Sequence, residues 1–163
     1  MPSPASGPDL SARLLHLWRR LRPLPGGRWL YARLLGRIVP YSGTIGARVD
    51  ELAPGRAVVS LRDRRRVRNH LGSIHAVALA NLGELASGLA VVTALPPGVK
   101  SIVTALETRY HRKARGTLVA RCEVALDPVL GETERQVRAT IHDHEGELVA
   151  ETLATWRLRP ETP

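Results

Sequence analysis

The sequence predicts an α+β domain: a mostly antiparallel sheet of about six strands around one long helix, with two further helices in front. Three observations carry this. An Ala- and Leu-rich run from His75 to about Ala94 lacks an internal proline and stops at Pro96-Pro97-Gly98. At about 1.5 Å per residue it makes a helix of roughly 30 Å. Beyond it the apolar period changes to two, the signature of half-buried strands. Before it, two runs with helical spacing precede two strand-like segments. A length of 163 residues suits one such domain and leaves no room for two full cores.

The elements follow in order. Leu10, Leu14, Leu17, Trp18 and Leu21 recur at helical spacing, and Pro23-Leu24-Pro25-Gly26-Gly27 stops that helix. A second helix spans about Arg28 to Val39, with Leu30, Leu34, Leu35 and Ile38 on one side. Strands are expected near Thr44–Leu52 and Arg56–Asp63, joined by Ala53-Pro54-Gly55. After the long helix, Ile102, Thr104, Leu106, Thr108 and Tyr110 share one parity, and so do Leu118, Ala120, Cys122, Val124 and Leu126. Val137, Ala139 and Ile141 form a third set; Leu148, Ala150, Ala154, Trp156 and Leu158 form a fourth. Ala114-Arg115-Gly116 and Asp143-His144-Glu145-Gly146 are the turn signals. With 4% aromatics and no Phe, aliphatic side chains must build the core, while Trp18, Trp29 and Trp156 are expected as core or interface anchors.

An apolar fraction of 44% with 24% charged residues excludes a disordered or fibrous chain. One cysteine, Cys122, excludes an intrachain disulfide framework and a cysteine-built metal site, and a reducing cytoplasm is the expected compartment. His142 and His144 flank a turn with no third ligand, so no metal site is expected. Met1 to Asp9 read as a polar lead-in without the basic start of a secretory signal. The most apolar window, Leu85–Val99, is interrupted by Ser87, Thr93 and Pro96-Pro97 and falls short of the roughly 20 residues that cross a bilayer.

The net charge of +9 is uneven. Residues 1–40 hold seven arginines against Asp9 alone, and residues 62–68 hold five against Asp63. Such clustering points to a local anionic partner. The chain therefore divides into a basic helical extension, 1–40, and a sheet-forming domain, 41–160. Because the sheet and long helix lie downstream, the extension is expected to be dispensable for folding.

The long helix is apolar or small on nearly every side, so it is buried. Its exceptions, Asn81, Glu84 and Ser87, are spaced by three and form one stripe. A buried carboxylate costs several kcal/mol unless paired, hydrogen-bonded or protonated. Glu84 is therefore either an ion-pair partner of an arginine across an interface or a carboxylate with tuned basicity. His75 stands nine residues earlier, about 180° around the helix and roughly 13.5 Å along it. Within one subunit it is a cap or a surface side chain; a two-fold dimer brings His75 of one chain toward Glu84 of the other.

Asn69-His70-Leu71-Gly72-Ser73-Ile74-His75-Ala76, followed by Leu82-Gly83-Glu84-Leu85-Ala86-Ser87-Gly88, resembles the hotdog-fold thioesterase superfamily, in the branch related to phenylacetic-acid-pathway thioesterases. Ala105 to Tyr110 and Ala114 to Leu118 resemble that family's strand and turn after the helix, and the resemblance spans about Tyr41 to Arg159. It implies a curved sheet wrapped around the helix, a homodimer with a tetramer as the next assembly, and cleavage of acyl-CoA or another acyl thioester with no separate cofactor. Glu84 then matches the nucleophile or general base. Asn69 and His75 match residues that orient thioester and water, and Ala76 matches the backbone N–H aimed at the thioester oxygen. The family often has Gly-Gly after the histidine where this chain has Ala76-Val77, whose side chains narrow the approach to that backbone.

Gly72, Asn81 and Ser87 are candidate substrate contacts, and Arg65, Arg66, Arg68 and Lys113 are candidates for the phosphates of coenzyme A. The alternative is a hotdog protein that binds acyl groups without turnover. A third class, peripheral membrane contact through residues 10–40 or nucleic acid binding, rests on the arginines alone. No stacking aromatics or binding motif accompanies them, which argues against nucleic acid.

Overall fold

The computed structural model describes residues 10–161, so Met1 to Asp9 lie outside the described residues. Helices α1 (Leu10–Leu21), α2 (Gly27–Ile38) and α3 (Pro40–Gly43) precede strands β1 (Arg48–Ala53) and β2 (Arg56–Leu61). Helix α4 (Ala76–Ala94) follows, then β3 (Val99–Tyr110), β4 (Leu118–Glu123), β5 (Thr133–His142) and β6 (Leu148–Pro160). The strands form one curved sheet in the order β1-β2-β4-β5-β6-β3, with every pairing antiparallel. The α+β hotdog architecture expected from the sequence is what the chain adopts.

Helix α4 lies against the concave face and buries Leu79, Leu82, Leu85 and Leu89, each contributing about 1.5–3 kcal/mol. Close approach to β6 depends on Gly83, where an added Cβ would collide with the Thr152 side chain. The helix starts at Ala76, well before the apolar window read from the sequence at Leu85. Its 19 residues are consequently long and apolar enough to cross a membrane by length and composition, yet 67% of its most apolar window is buried inside the protein. Cys122 is also core; burial, reinforced by Glu123, pushes its thiol up to about 12, so it stays protonated.

Two sequence expectations, the start of the first strand and the parity of β3, need correction. The extension packs onto the core: Leu14, Trp18, Tyr31 and Leu35 are buried in the same cluster as α4, and Trp18 meets Tyr31 edge-to-face at 5.1 Å. Trp29 points the other way, 62% exposed, with the Arg33 guanidinium 5.1 Å over its ring. The strand expected from Thr44 begins at Arg48, because Pro40 opens the short helix α3 and Gly46 then turns the chain at φ +64°.

The second correction concerns β3, which pairs with β6 and is an edge of the sheet. A bulge between Val103 and Ala105 switches its inward parity. Val99, Ser101 and Val103 are half-buried before it, whereas Ile102 is 63% exposed. After it, Thr108 reaches Thr152 (3.1 Å) and the Tyr110 hydroxyl donates to the Ala76 carbonyl (3.1 Å). The even-numbered residues therefore do not share one face along the whole strand.

Candidate active site

Glu84 lies half-buried on α4, in an open cleft of about 530 Å³. Val77, Ala80 and Asn81 of α4 form one wall, Val103 and Leu106 of β3 another, and the segment from Ile38 to Ser42 closes the third. The surroundings are mainly apolar, and desolvation raises the Glu84 carboxyl above the usual carboxylate range. Its hydrogen-bond partner is Ser42, whose hydroxyl donates to Oε2 at 3.4 Å and works in the opposite direction. Among the described residues no arginine pairs with it, so an intrachain ion pair does not account for this carboxylate.

Asn81 is 6% exposed and lines the same cleft. Its Oδ1 is a buried acceptor without a partner among the described residues, an arrangement that costs about 1–3 kcal/mol. Ser87, by contrast, is fully buried and donates to the Glu84 carbonyl (2.9 Å), outside the cleft lining. The stripe of three thus splits into two groups facing the cleft and one supporting the helix.

The remaining motif residues build the approach to α4. The Asn69 side-chain oxygen accepts the amides of Leu71 (2.9 Å) and Ser73 (3.2 Å), and Gly72 turns the chain at φ +67°. His75 caps the helix, its Nδ1 accepting the Val77 amide at 3.1 Å. Ala76 is the first helical residue, so its N–H has no intrahelical acceptor. Neither His75 nor Ala76 lines the Glu84 cleft within one chain, while Val77, 54% exposed, does.

The cationic candidates separate further. Arg68 is held by Asp63 at 2.6 Å, a bond that also keeps the Asp63 carboxyl below its usual range. Arg65 and Lys113 are exposed. Arg66 faces a second cleft with Arg62 and Arg64. Sequence reasoning did not find Ser42 or the α3 segment. A proline that can start a helix, at position 40, was the signal available.

Fold and site together define a class: this is a hotdog-fold protein of the thioesterase superfamily. A domain-family profile described as "Domain of unknown function (DUF4442)" matches residues 27–158, and the chain belongs to that family. The match begins at the start of α2, upstream of the Tyr41 boundary read from motifs. A structural-genomics crystal structure superposes with a TM-score of 0.78 at 26% identity, covering 92% of this chain and 98% of its own. A Pseudomonas aeruginosa protein of unknown function, described as a probable thioesterase, gives 0.73 at 26% identity over 85% of this chain and 97% of its own. The phenylacetic acid degradation protein PaaI of Thermus thermophilus, as a mutant, gives 0.62 at 26% identity over 72% of this chain and 97% of its own. No curated protein matches the chain.

Proposed function

We propose that this protein hydrolyses acyl thioesters, with acyl-CoA as the substrate class and Glu84 as the catalytic carboxylate. The observation that carries the reading is a half-buried, unpaired Glu84 whose basicity is raised in an apolar cleft on the central helix. Ionised, it either attacks the thioester carbonyl, expelling the thiolate and leaving an anhydride that water hydrolyses, or takes a proton from a water that attacks the carbonyl and expels the same thiolate. The Ala76 N–H, at the positive end of α4, suits the developing oxyanion. Asn81 Oδ1 accepts a hydrogen bond from the water or from a substrate amide.

Because His75, Asn69 and Ala76 lie outside the Glu84 cleft within one chain, the proposal places the complete site at a two-fold interface. The exposed edge strand β3, with Ile102 and Tyr110 exposed, supports that reading. Coenzyme A enters as part of the substrate, with no separate cofactor, and a cytoplasmic setting belongs to the same proposal. Replacing Glu84 by Gln keeps shape and polarity but removes the basic oxygen. Turnover of an acyl-CoA panel, read as free thiol, is expected to fall at least roughly 10²-fold, with acyl-CoA still bound. Near wild-type turnover would overturn the assignment. Binding without turnover in the wild type would select the non-catalytic alternative.

A further inference from the structure

A second cleft lies on the opposite side of α3, and its chemistry is different. It measures about 780 Å³, within the roughly 300–1,000 Å³ typical of small-molecule sites. Six arginines converge on it: Arg33 and Arg37 from α2, Arg48 from β1, and Arg62, Arg64 and Arg66 from the segment after β2. Among the described residues no acidic side chain lines it. Arg48 is paired with Asp50 at 2.8 Å, and Arg64 donates to the Gly46 carbonyl at 2.7 Å. Arg37, Arg62 and Arg66 make no ion pair among the described residues.

The convergence is built into the backbone. Gly46 has no side chain where the Arg66 guanidinium lies, and a Cβ there would also come within 2.9 Å of Arg64. The neighbouring α2–α3 contact is equally tight, since a Cβ on Gly43 would lie 2.9 Å from the Gly36 Cα. Like charges gathered this way repel. Burial, together with Arg66 and Arg62, holds the Arg64 guanidinium below its usual range. A ligand that brings several negative charges relieves the repulsion, and the planar guanidinium fork fits phosphate oxygens in pairs. Trp29 also lines the cleft, 62% exposed, a flat surface of the kind on which a nucleobase stacks.

We propose that this cleft binds a nucleotide carrying at least two phosphates, with the phosphates on Arg37, Arg62 and Arg66 and the base against Trp29. Two sources share that chemistry: the nucleotide end of an acyl-CoA whose thioester reaches Glu84, or a free nucleotide binding on its own. Pro40 lines both clefts, Ser42 contacts Glu84, and α2 gives Arg37 to one cleft and Ile38 to the other, so α3 and the end of α2 lie between them. The first source rests on the thioester reading above; the affinity of the cleft for a nucleotide does not.

The test is calorimetry with adenosine 3′,5′-bisphosphate on the full chain. Saturable binding at one site per chain is expected, weakened at least roughly tenfold in Arg37→Ala/Arg62→Ala, since charge-assisted contacts to phosphate are the strong ones. Trp29→Ala is expected to weaken the bisphosphate but leave tripolyphosphate unchanged. Melting curves matching wild type establish that both variants are folded. Unchanged binding in the double variant, equal competition by inorganic phosphate, or preference for phosphatidylserine vesicles over the nucleotide would each overturn the proposal. The source is read from KM. If the substrate supplies the nucleotide, the double variant raises KM for acyl-CoA but not for acyl-pantetheine, which lacks it; if the nucleotide is free, neither KM moves. A protein that binds the bisphosphate but cleaves no thioester would retire the catalytic reading and leave this one standing.

Discussion

The two sides of helix α4 are made from similar residues but meet different neighbours. Toward the sheet, Leu82, Ala86 and Ala90 have no exposed surface, and Gly83 lets Thr152 approach without a gap. Toward α3 and β3, Val77, Ala80, Asn81 and Glu84 line an open cleft. The first side is covered by a continuous ladder of strands, the second by short helices and an edge strand that leave space between them. Polar groups on the second side therefore stay partly unsatisfied and chemically available, which is why one helix forms both the core and the proposed site.

The largest way to disturb that contrast is to remove the helical cover. Deleting residues 1–40 takes away Leu14, Trp18, Tyr31 and Leu35, all buried. At about 1.5–3 kcal/mol each, their loss is comparable to the roughly 5–15 kcal/mol that holds a domain folded. The truncated protein is expected to aggregate, as followed by soluble yield and size-exclusion chromatography; a monodisperse, cooperatively melting product would show that the sheet and α4 suffice.

A smaller effect is expected on the sheet side. Gly83→Ala forces a methyl group against Thr152, an overpacking cost of about 1–3 kcal/mol. Thermal denaturation should show a loss on the order of 2–4 °C per kcal/mol. An unchanged melting temperature would mean that α4 has room to shift away from β6.

The smallest perturbation acts on the cleft side. Ser42 donates to the ionised form of Glu84 and lowers its pKa against the larger effect of burial. Ser42→Ala removes that support, so the folded-state pKa rises further. Catalysis by an ionised carboxylate is lost as pH falls through that pKa, so the acid limb of the kcat/KM profile should move to higher pH. A limb that stays put, or moves to lower pH, would remove Ser42 from the site.

Much of this architecture is legible in the amino-acid order alone. The period of two in Leu118–Cys122 and Val137–Ile141, and the uninterrupted apolar run after His75, reflect local burial patterns that a chain displays in its order. Glu84 stood out because a carboxylate has no business in such a run without a partner or a task. What was not legible depends on meetings between distant segments. Ser42 approaches Glu84 across 42 residues, and Arg37 and Arg66 share a cleft through packing of α2 against the end of β1. Trp18 and Trp29 both looked like anchors, yet only the first faces α4, because the orientation of α2 is set by where Tyr31 and Leu35 find cover. Contacts of that kind have no periodic trace.

The bulge in β3 has a consequence for how the cleft tolerates change. Val103 and Leu106 are three residues apart, a spacing that in a regular strand sends side chains to opposite faces, yet both line the Glu84 cleft because one extra residue intervenes. That wall is therefore specified by a number of residues as much as by their kinds. Many apolar replacements at 103 or 106 would preserve it, whereas one further residue inserted between them would leave every existing side chain intact and turn half the wall outward. Drift by substitution is cheap here, and drift by length is not.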